Sequence, residues 1–296
     1  MPAPLLMLAA SFLFATMGVC VKLASAQYAP GEIVFYRSLV GAVAIAGAVQ
    51  VRGGSLRTPV PGMHLWRSAS GVASLCLWFY ALSNLPLATA VTLNYMSSVW
   101  MALFLLGGAV MLGASRVDGR LVATVLAGFA GVALVLRPTV EQDQLWHGLM
   151  GLMSGLLAAM AYLQVSALGR AGEPEYRVVF YFSVGGMVVG AATMAYTGAS
   201  PHTLKGALLL LATGALATVA QIMMTRAYTI GRTLSNASLQ YLGIAFSFAY
   251  GVWLFDDPVT WMALAGMAII VSAGLAATLL TMRQAPRDST LHPSDS

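Results

Sequence analysis

Proline and short polar breaks cut the chain into apolar runs of nearly uniform length, and this pattern restricts the fold more than any other feature. About 20 apolar residues make a helix long enough to cross a bilayer. Ten such runs follow one another, at roughly 4–25, 31–51, 65–84, 88–112, 119–137, 147–169, 177–197, 204–227, 233–255 and 259–282. Pro30, Pro86, Pro138, Pro174, Pro201 and Pro258 fall at or near their boundaries, where a missing N–H does least harm. No proline lies in the middle of a run, so any kink is expected from glycine. Of the 296 residues 59% are hydrophobic and 8% charged, whereas a soluble domain carries about 25% charged residues. So few charges could not cover so large a core in water. The expectation is an all-α polytopic membrane protein with ten transmembrane helices.

The first run raises one alternative. Ala24-Ser25-Ala26 resembles a signal-peptidase site. Residues 1–10 contain no Lys or Arg, however, so the basic start of a signal peptide is missing and the run reads as a retained helix. With the N-terminus in the cytoplasm, eleven Lys and Arg residues fall on the inner side and four (Lys22, Arg37, Arg137 and Lys205) on the outer side. The positive-inside rule then places both termini in the cytoplasm. The polar residues 283–296 read as a disordered cytoplasmic tail.

The net charge of +5 comes from scattered residues that form no patch, so a nucleic-acid partner is excluded. Cys20 and Cys76 lie within apolar runs, and no Cys/His cluster has metal spacing, so neither a metal nor a cofactor is expected. No nucleophile–base pair stands within the runs, which argues against an enzyme.

The chain also repeats itself. Tyr80–Trp100 reads YALSNLPLATAVTLNYMSSVW, and Arg226–Phe246, 146 positions on, reads RAYTIGRTLSNASLQYLGIAF. Ala81, Leu93 and Tyr95 meet Ala227, Leu239 and Tyr241, and Asn94 meets Gln240. FYRSLVG (35–41) meets FYFSVGG (180–186), and LAGFAGVALV (126–135) meets LAGMAIIVSA (264–273). The order of matches is preserved, which gives two five-helix repeats, 1–140 and 145–282. Because five is odd, the second repeat enters the membrane inverted, and inverted repeats are a signature of secondary transporters.

These two halves, with LAGFAGVALVLRP closing the first, resemble the EamA-type drug/metabolite transporter superfamily over about residues 5–282. The chain looks most like its YddG-type aromatic amino-acid exporters. That resemblance implies a multi-pass protein of the bacterial inner membrane that moves amino acids and related metabolites outward. It also implies a ten-helix basket in which the last helix of each half stands away from the cavity.

Intramembrane polar residues tend to face protein or water. Asn236, Gln240, Gly243 and Ser247 share one helical face, and Ala90, Asn94, Ser97 and Met101 share the matching one. Gln221 lies with Thr218 and Thr225, Trp78 with Gly71 and Ser74, and Gln164 with Ser154 and Ala161. The small residues suit close helix packing, as do Gly151-xxx-Gly155 and Gly186-xxx-Gly190. The amides suit a ligand, because an amide offers an N–H to a carboxylate and a C=O to an ammonium. The expected substrate-binding set is Trp78, Asn94, Tyr95, Ser98, Tyr162, Gln164, Gln221, Asn236, Gln240 and Tyr241, with the aromatic rings walling an apolar side chain. Lys22 and Arg37 lie near outer helix ends; they either snorkel to water or form an outer gate, by either cation pairing with Glu32 or by Lys22 meeting a substrate carboxylate.

Of the ten acids only Glu32 falls within a run, so no buried carboxylate is expected to carry a proton. The function that follows is facilitative export of amino acids, aromatic and other neutral ones, by alternating access, with the chain a monomer in the bilayer. Efflux of lipophilic cations such as methyl viologen is the alternative, disfavoured by the missing acid. A nucleotide-sugar carrier is disfavoured because the run interiors carry no basic residues to meet phosphates.

Overall fold

The computed structural model describes residues 1–85, 87–101, 103–104, 119–136, 145–256 and 260–284, and no strand occurs among them. The helices are α1 Ala3–Ala24, α2 Pro30–Val51, α3 Pro61–Asn84, α4 Leu87–Tyr95, α5 Gly119–Leu136, α6 Leu145–Arg170, α7 Glu175–Thr197, α8 Leu204–Ile230, α9 Thr233–Gln240, α10 Leu242–Phe255 and α11 Trp261–Gln284. After α4 the chain is helical again at 97–101 and 103–104. Six segments are long and apolar enough to cross a membrane: Ala3–Ala24, Pro30–Val51, Trp146–Arg170, Glu175–Thr197, Leu204–Ile230 and Thr233–Phe255. Val122–Leu134 and Leu264–Ala276 are shorter apolar helices.

Local chemistry sets the boundaries. Pro30 and Pro61 open α2 and α3, and Pro174 stands immediately before α7. Each supplies a fixed φ where no N–H is needed. The Thr203 hydroxyl accepts from the Gly206 amide at 3.0 Å and caps α8. Gly198, at φ 84°, turns the chain out of α7, in a region that L residues seldom adopt. Pro86, Pro138, Asp257, Pro258 and the tail from 285 on lie outside the described residues.

The helices pack chiefly as α1 on α8, α3 on α6, α2 on α7 and α5 on α11. Both glycine motifs sit at these crossings. A Cβ at Gly190 would stand 2.6 Å from the Phe35 amide nitrogen, so α7 rides directly on the α2 backbone. A Cβ at Gly155 would stand 2.6 Å from Leu93 O and 3.0 Å from Asn94 O, so α6 rests on the end of α4. Large apolar side chains such as Phe12, Leu208 and Leu275 remain exposed on the outside, as a lipid-facing surface requires.

The expected ninth run differs from a single straight helix. It breaks between α9 and α10 at Tyr241, and the fourth run turns at Met96, directly after the matching Tyr95. Neither break has a glycine at the turning residue. The cause at Tyr241 is a hydroxyl inserted into the ladder. Ser98 donates to Ala237 O at 3.0 Å, the carbonyl that a regular helix would offer to the Tyr241 amide. That amide turns to Ser238 O instead, at 3.2 Å.

The crossing at Gly190 predicts that Gly190→Val overpacks the α2–α7 contact and destabilises the protein by about 1–3 kcal/mol. Gly47, with no atom within 4 Å of a Cβ, is the control. Gly47→Ala should leave the unfolding midpoint in detergent unchanged, and an equal loss in both variants would refute the packing account.

Candidate substrate cavity

α1–α4 and α6–α9 enclose a cavity of about 70 Å³, room for a handful of waters. Among the described residues α5 and α11 contribute nothing to its lining; they pack on each other through the paired LAG phrases, where a Cβ at Gly131 would meet Gly266 O at 2.8 Å.

Two arginines dominate its chemistry. Arg37 is the eighth residue of α2 and Arg67 the seventh of α3, so each starts about two turns in from its own helix start. Both are buried, at 5% and 2% exposure. Their guanidinium carbons lie 5.3 and 4.5 Å from the centroid of one ring, that of Phe182 on α7. A ring face offsets roughly 2 kcal/mol of a desolvated cation's cost. Neither guanidinium has a hydrogen bond or carboxylate partner among the described residues; Arg37 Nε, Arg67 Nε and Arg67 Nη1 are all buried without one. Leaving a buried charge unpaired costs several kcal/mol. Gly71, one turn beyond Arg67, makes the space for it, since a Cβ there would collide with Arg67 Nη1.

Arg67 is the principal residue that the sequence reading missed. The positive-inside count sets it among the eleven inner residues, at the edge of the third run, and the run interiors are expected to carry no basic residue. The structure corrects both points: α3 begins four residues earlier than expected, which carries Arg67 inside, and its side chain reaches the cavity. Phe182, Met7, Phe14 and Met224 also line it. Only Phe182 left a sequence signal, being the residue matched to Arg37 when FYRSLVG is laid on FYFSVGG.

The expected binding residues divide. Trp78, Asn94, Tyr95, Tyr162, Gln221 and Gln240 line the cavity. Trp78 Nε1 and Gln240 Oε1 are buried without a protein partner, while Gln240 Nε2 points to Met224 Sδ at 3.8 Å. Asn94 Nδ2 donates to Ser154 Oγ at 3.1 Å, and Ser74 Oγ donates to Ser154 O at 2.8 Å, which ties α4 and α3 to α6. Tyr162 stacks on Tyr228, with centroids 5.4 Å apart and planes 14° from parallel. Four residues lie elsewhere. Ser98 bonds Ala237 O. Asn236 Nδ2 donates to Ala227 O at 2.6 Å, at the end of α8. Gln164 Oε1 accepts from Ser70 Oγ at 3.3 Å, and the Tyr241 ring lies against Gly128 of α5.

The three residues considered for an outer gate do not meet. Lys22 Nζ donates to Leu82 O and Leu85 O, both at 2.9 Å, which satisfies carbonyls at the C-terminal end of α3 where a cation is favoured. Glu32 is fully buried, and its Oε2 accepts from the Ser200 amide at 3.2 Å. Arg37 turns inward to the cavity. The expectation of no buried carboxylate needs amending, because Glu173 is buried too, 2.9 Å from His64 Nε2 and 3.4 Å from Arg177 Nη1. No acid lines the cavity among the described residues.

Removing an unpaired buried charge should stabilise a ligand-free protein. Arg67→Met is expected to raise the unfolding midpoint of the purified protein by roughly 2–4 °C, the reverse of the usual sign for a buried residue; a fall would show that Arg67 is structural. Lys22→Met should act oppositely, losing about 1–3 kcal/mol of stability with KM unchanged in transport assays. A shift in KM with stability intact would restore the gate role.

The profile of the EamA-like transporter family matches residues 1–137. The pseudopaline exporter of Pseudomonas aeruginosa is 33% identical over 92% of this chain and 94% of its own. A riboflavin transporter of Rhizobium johnstonii is 29% identical over 75% of this chain and 71% of its own. A solved crystal structure covering 95% of this chain and 98% of its own superposes with a TM-score of 0.79 at 20% identity, a likeness of fold. A multi-pass helical chain that brings two arginines to a central cavity, and is a third identical to an exporter along nearly its whole length, belongs to the EamA-like transporter family and is a membrane transporter of small molecules, not an enzyme.

Proposed function

We propose that the chain exports small amino-acid-type metabolites across a bacterial inner membrane, as a monomer, by alternating access and without proton coupling. The observation that carries this reading is the cavity itself: buried guanidiniums to meet a carboxylate, an unpartnered Gln240 carbonyl to meet an amine, and aromatic walls to meet a side chain. Neutral and aromatic amino acids carry all three complements.

Ten spans in two inverted repeats, with both termini cytoplasmic, complete the proposal. The first repeat comprises α1, α2, α3, α4 with 97–101 and 103–104, and α5. The second comprises α6, α7, α8, α9 with α10, and α11. Exchanging the repeats turns the α1–α8 pairing into the α6–α3 pairing, and returns the α2–α7 and α5–α11 pairings to themselves. The turns at Met96 and Tyr241 fall within one residue of matching places, each shortly after a cavity-lining amide. Discontinuous helices around a central site are a recurrent device of secondary transporters. Relatives named as an exporter and as a riboflavin transporter agree with small-molecule transport in general.

The absence of an acid among the described lining residues favours facilitation over proton antiport. The two guanidiniums also oppose entry of a lipophilic cation, which lowers the standing of methyl viologen efflux.

Proteoliposomes containing the full chain test this directly. Labelled amino acids should enter saturably, at a rate insensitive to an imposed pH gradient, and methyl viologen should not enter. Asn94→Leu with Gln240→Leu should lower amino-acid uptake at least tenfold. Uptake of methyl viologen alone, or uphill accumulation driven by a pH gradient, would refute the proposal.

A further inference from the structure

Resting on that reading of the cavity, we propose that Arg37 and Arg67 form a double anion clamp and that the preferred substrate carries two carboxylates, as an acidic amino acid or an amino-acid-derived dicarboxylate does. Charge is the first argument. Two guanidiniums face one cavity with no acid among its described lining residues. Guanidinium stays protonated in proteins, so neither can shed its charge. One carboxylate would neutralise one of them and leave its neighbour unpaired in a desolvated space. Two carboxylates neutralise both.

Geometry is the second. Phe182 takes up both cations through its ring, and ring contact leaves the N–H edges of a guanidinium free for paired hydrogen bonds. Arg67 Nε and Nη1 are among the buried atoms without a protein partner, and so is Arg37 Nε. Gly71 holds this arrangement open, because any side chain there would displace Arg67 Nη1. An arginine whose place is carved by a missing Cβ, and which then bonds to nothing, is built for something that arrives.

The third argument is the rest of the wall. Gln240 Oε1 is a buried acceptor without a donor, and Tyr162 and Trp78 line the same cavity. That supplies a place for one amine and one short aliphatic stem between the two acid ends. A neutral amino acid uses one half of the clamp.

Binding of glutamate, glutamine, phenylalanine and inorganic phosphate to the purified full chain in detergent separates these cases. Glutamate and glutamine share a shape and differ in the second carboxylate. Glutamate should bind at least tenfold more tightly than glutamine. Arg67→Gln should reduce that ratio to about twofold or less. Arg67→Lys, which keeps the charge and loses the fork, should restore part of it, and Gly71→Ala should lower it with both arginines in place. Equal affinity for glutamate and glutamine, a preference that survives Arg67→Gln, or tighter binding of phosphate than of glutamate would each overturn the clamp. Whether the export proposal falls with it is read separately: uptake of glutamine and phenylalanine into proteoliposomes would leave export standing, and no uptake of any amino acid would remove both.

Discussion

Lipid offers a peptide no hydrogen bonds, and most of this structure follows from that. Every backbone N–H and C=O in the bilayer needs a partner within the chain. The described residues meet the demand with helices, and side chains serve where helices end or bend. Lys22 covers two carbonyls at the end of α3, Asn236 covers one at the end of α8, and Ser98 covers one where α9 gives way to α10. Ser154 joins three helices through one residue. Polar side chains in such a setting are seldom idle. Against that background the two guanidiniums at Phe182 stand out: among the described lining residues they alone bring full charge to the cavity, and they donate no hydrogen bond to the described residues.

The helix crossings explain how the cavity stays small and ordered. Gly155 and Gly190 bring α6 and α7 into backbone contact with α4 and α2. Such contacts draw their stability from dispersion and close fit, since apolar side chains gain little by leaving lipid for protein. They also hold the amide-bearing turns at fixed heights. The Asn94 carbonyl lies under Gly155, while its side chain reaches Ser154 on the same helix. A crossing designed for packing and a residue placed for binding thus occupy the same turn.

Much of the helical layout was legible from the sequence. The runs beginning at 4, 31, 177 and 204 lie within three residues of α1, α2, α7 and α8, because apolar length and proline punctuation are strong, local signals. Asn94 and Gln240 were legible for a related reason: a large amide in an apolar run has few innocent explanations. The bend at Tyr241 was not legible, since its cause is a hydroxyl from a distant part of the chain. Ser98, Gln164, Asn236 and Tyr241 share the composition of binding residues, and only tertiary contacts tell them apart. Arg67 was hidden by its position near a run's edge, where snorkelling is the ordinary fate of an arginine. Its pairing with the glycine one turn on was the available clue. The alignment of Arg37 with Phe182 between the repeats was a second, and the structure brings those two residues into contact.

The unpaired guanidiniums also make the empty cavity an electrical object. In an alternating-access cycle an unloaded cavity would carry two positive charges through part of the membrane field, and a cavity holding an acidic amino acid, of net charge −1, would carry one. Each elementary charge crossing the whole field is worth about 2.3 kcal/mol per 100 mV. An inside-negative potential therefore acts on the return of the empty carrier and draws its cavity toward the cytoplasm. The loaded step feels half that pull. Such a protein would be outwardly directed by the resting potential of its membrane, with no ion bound and none exchanged.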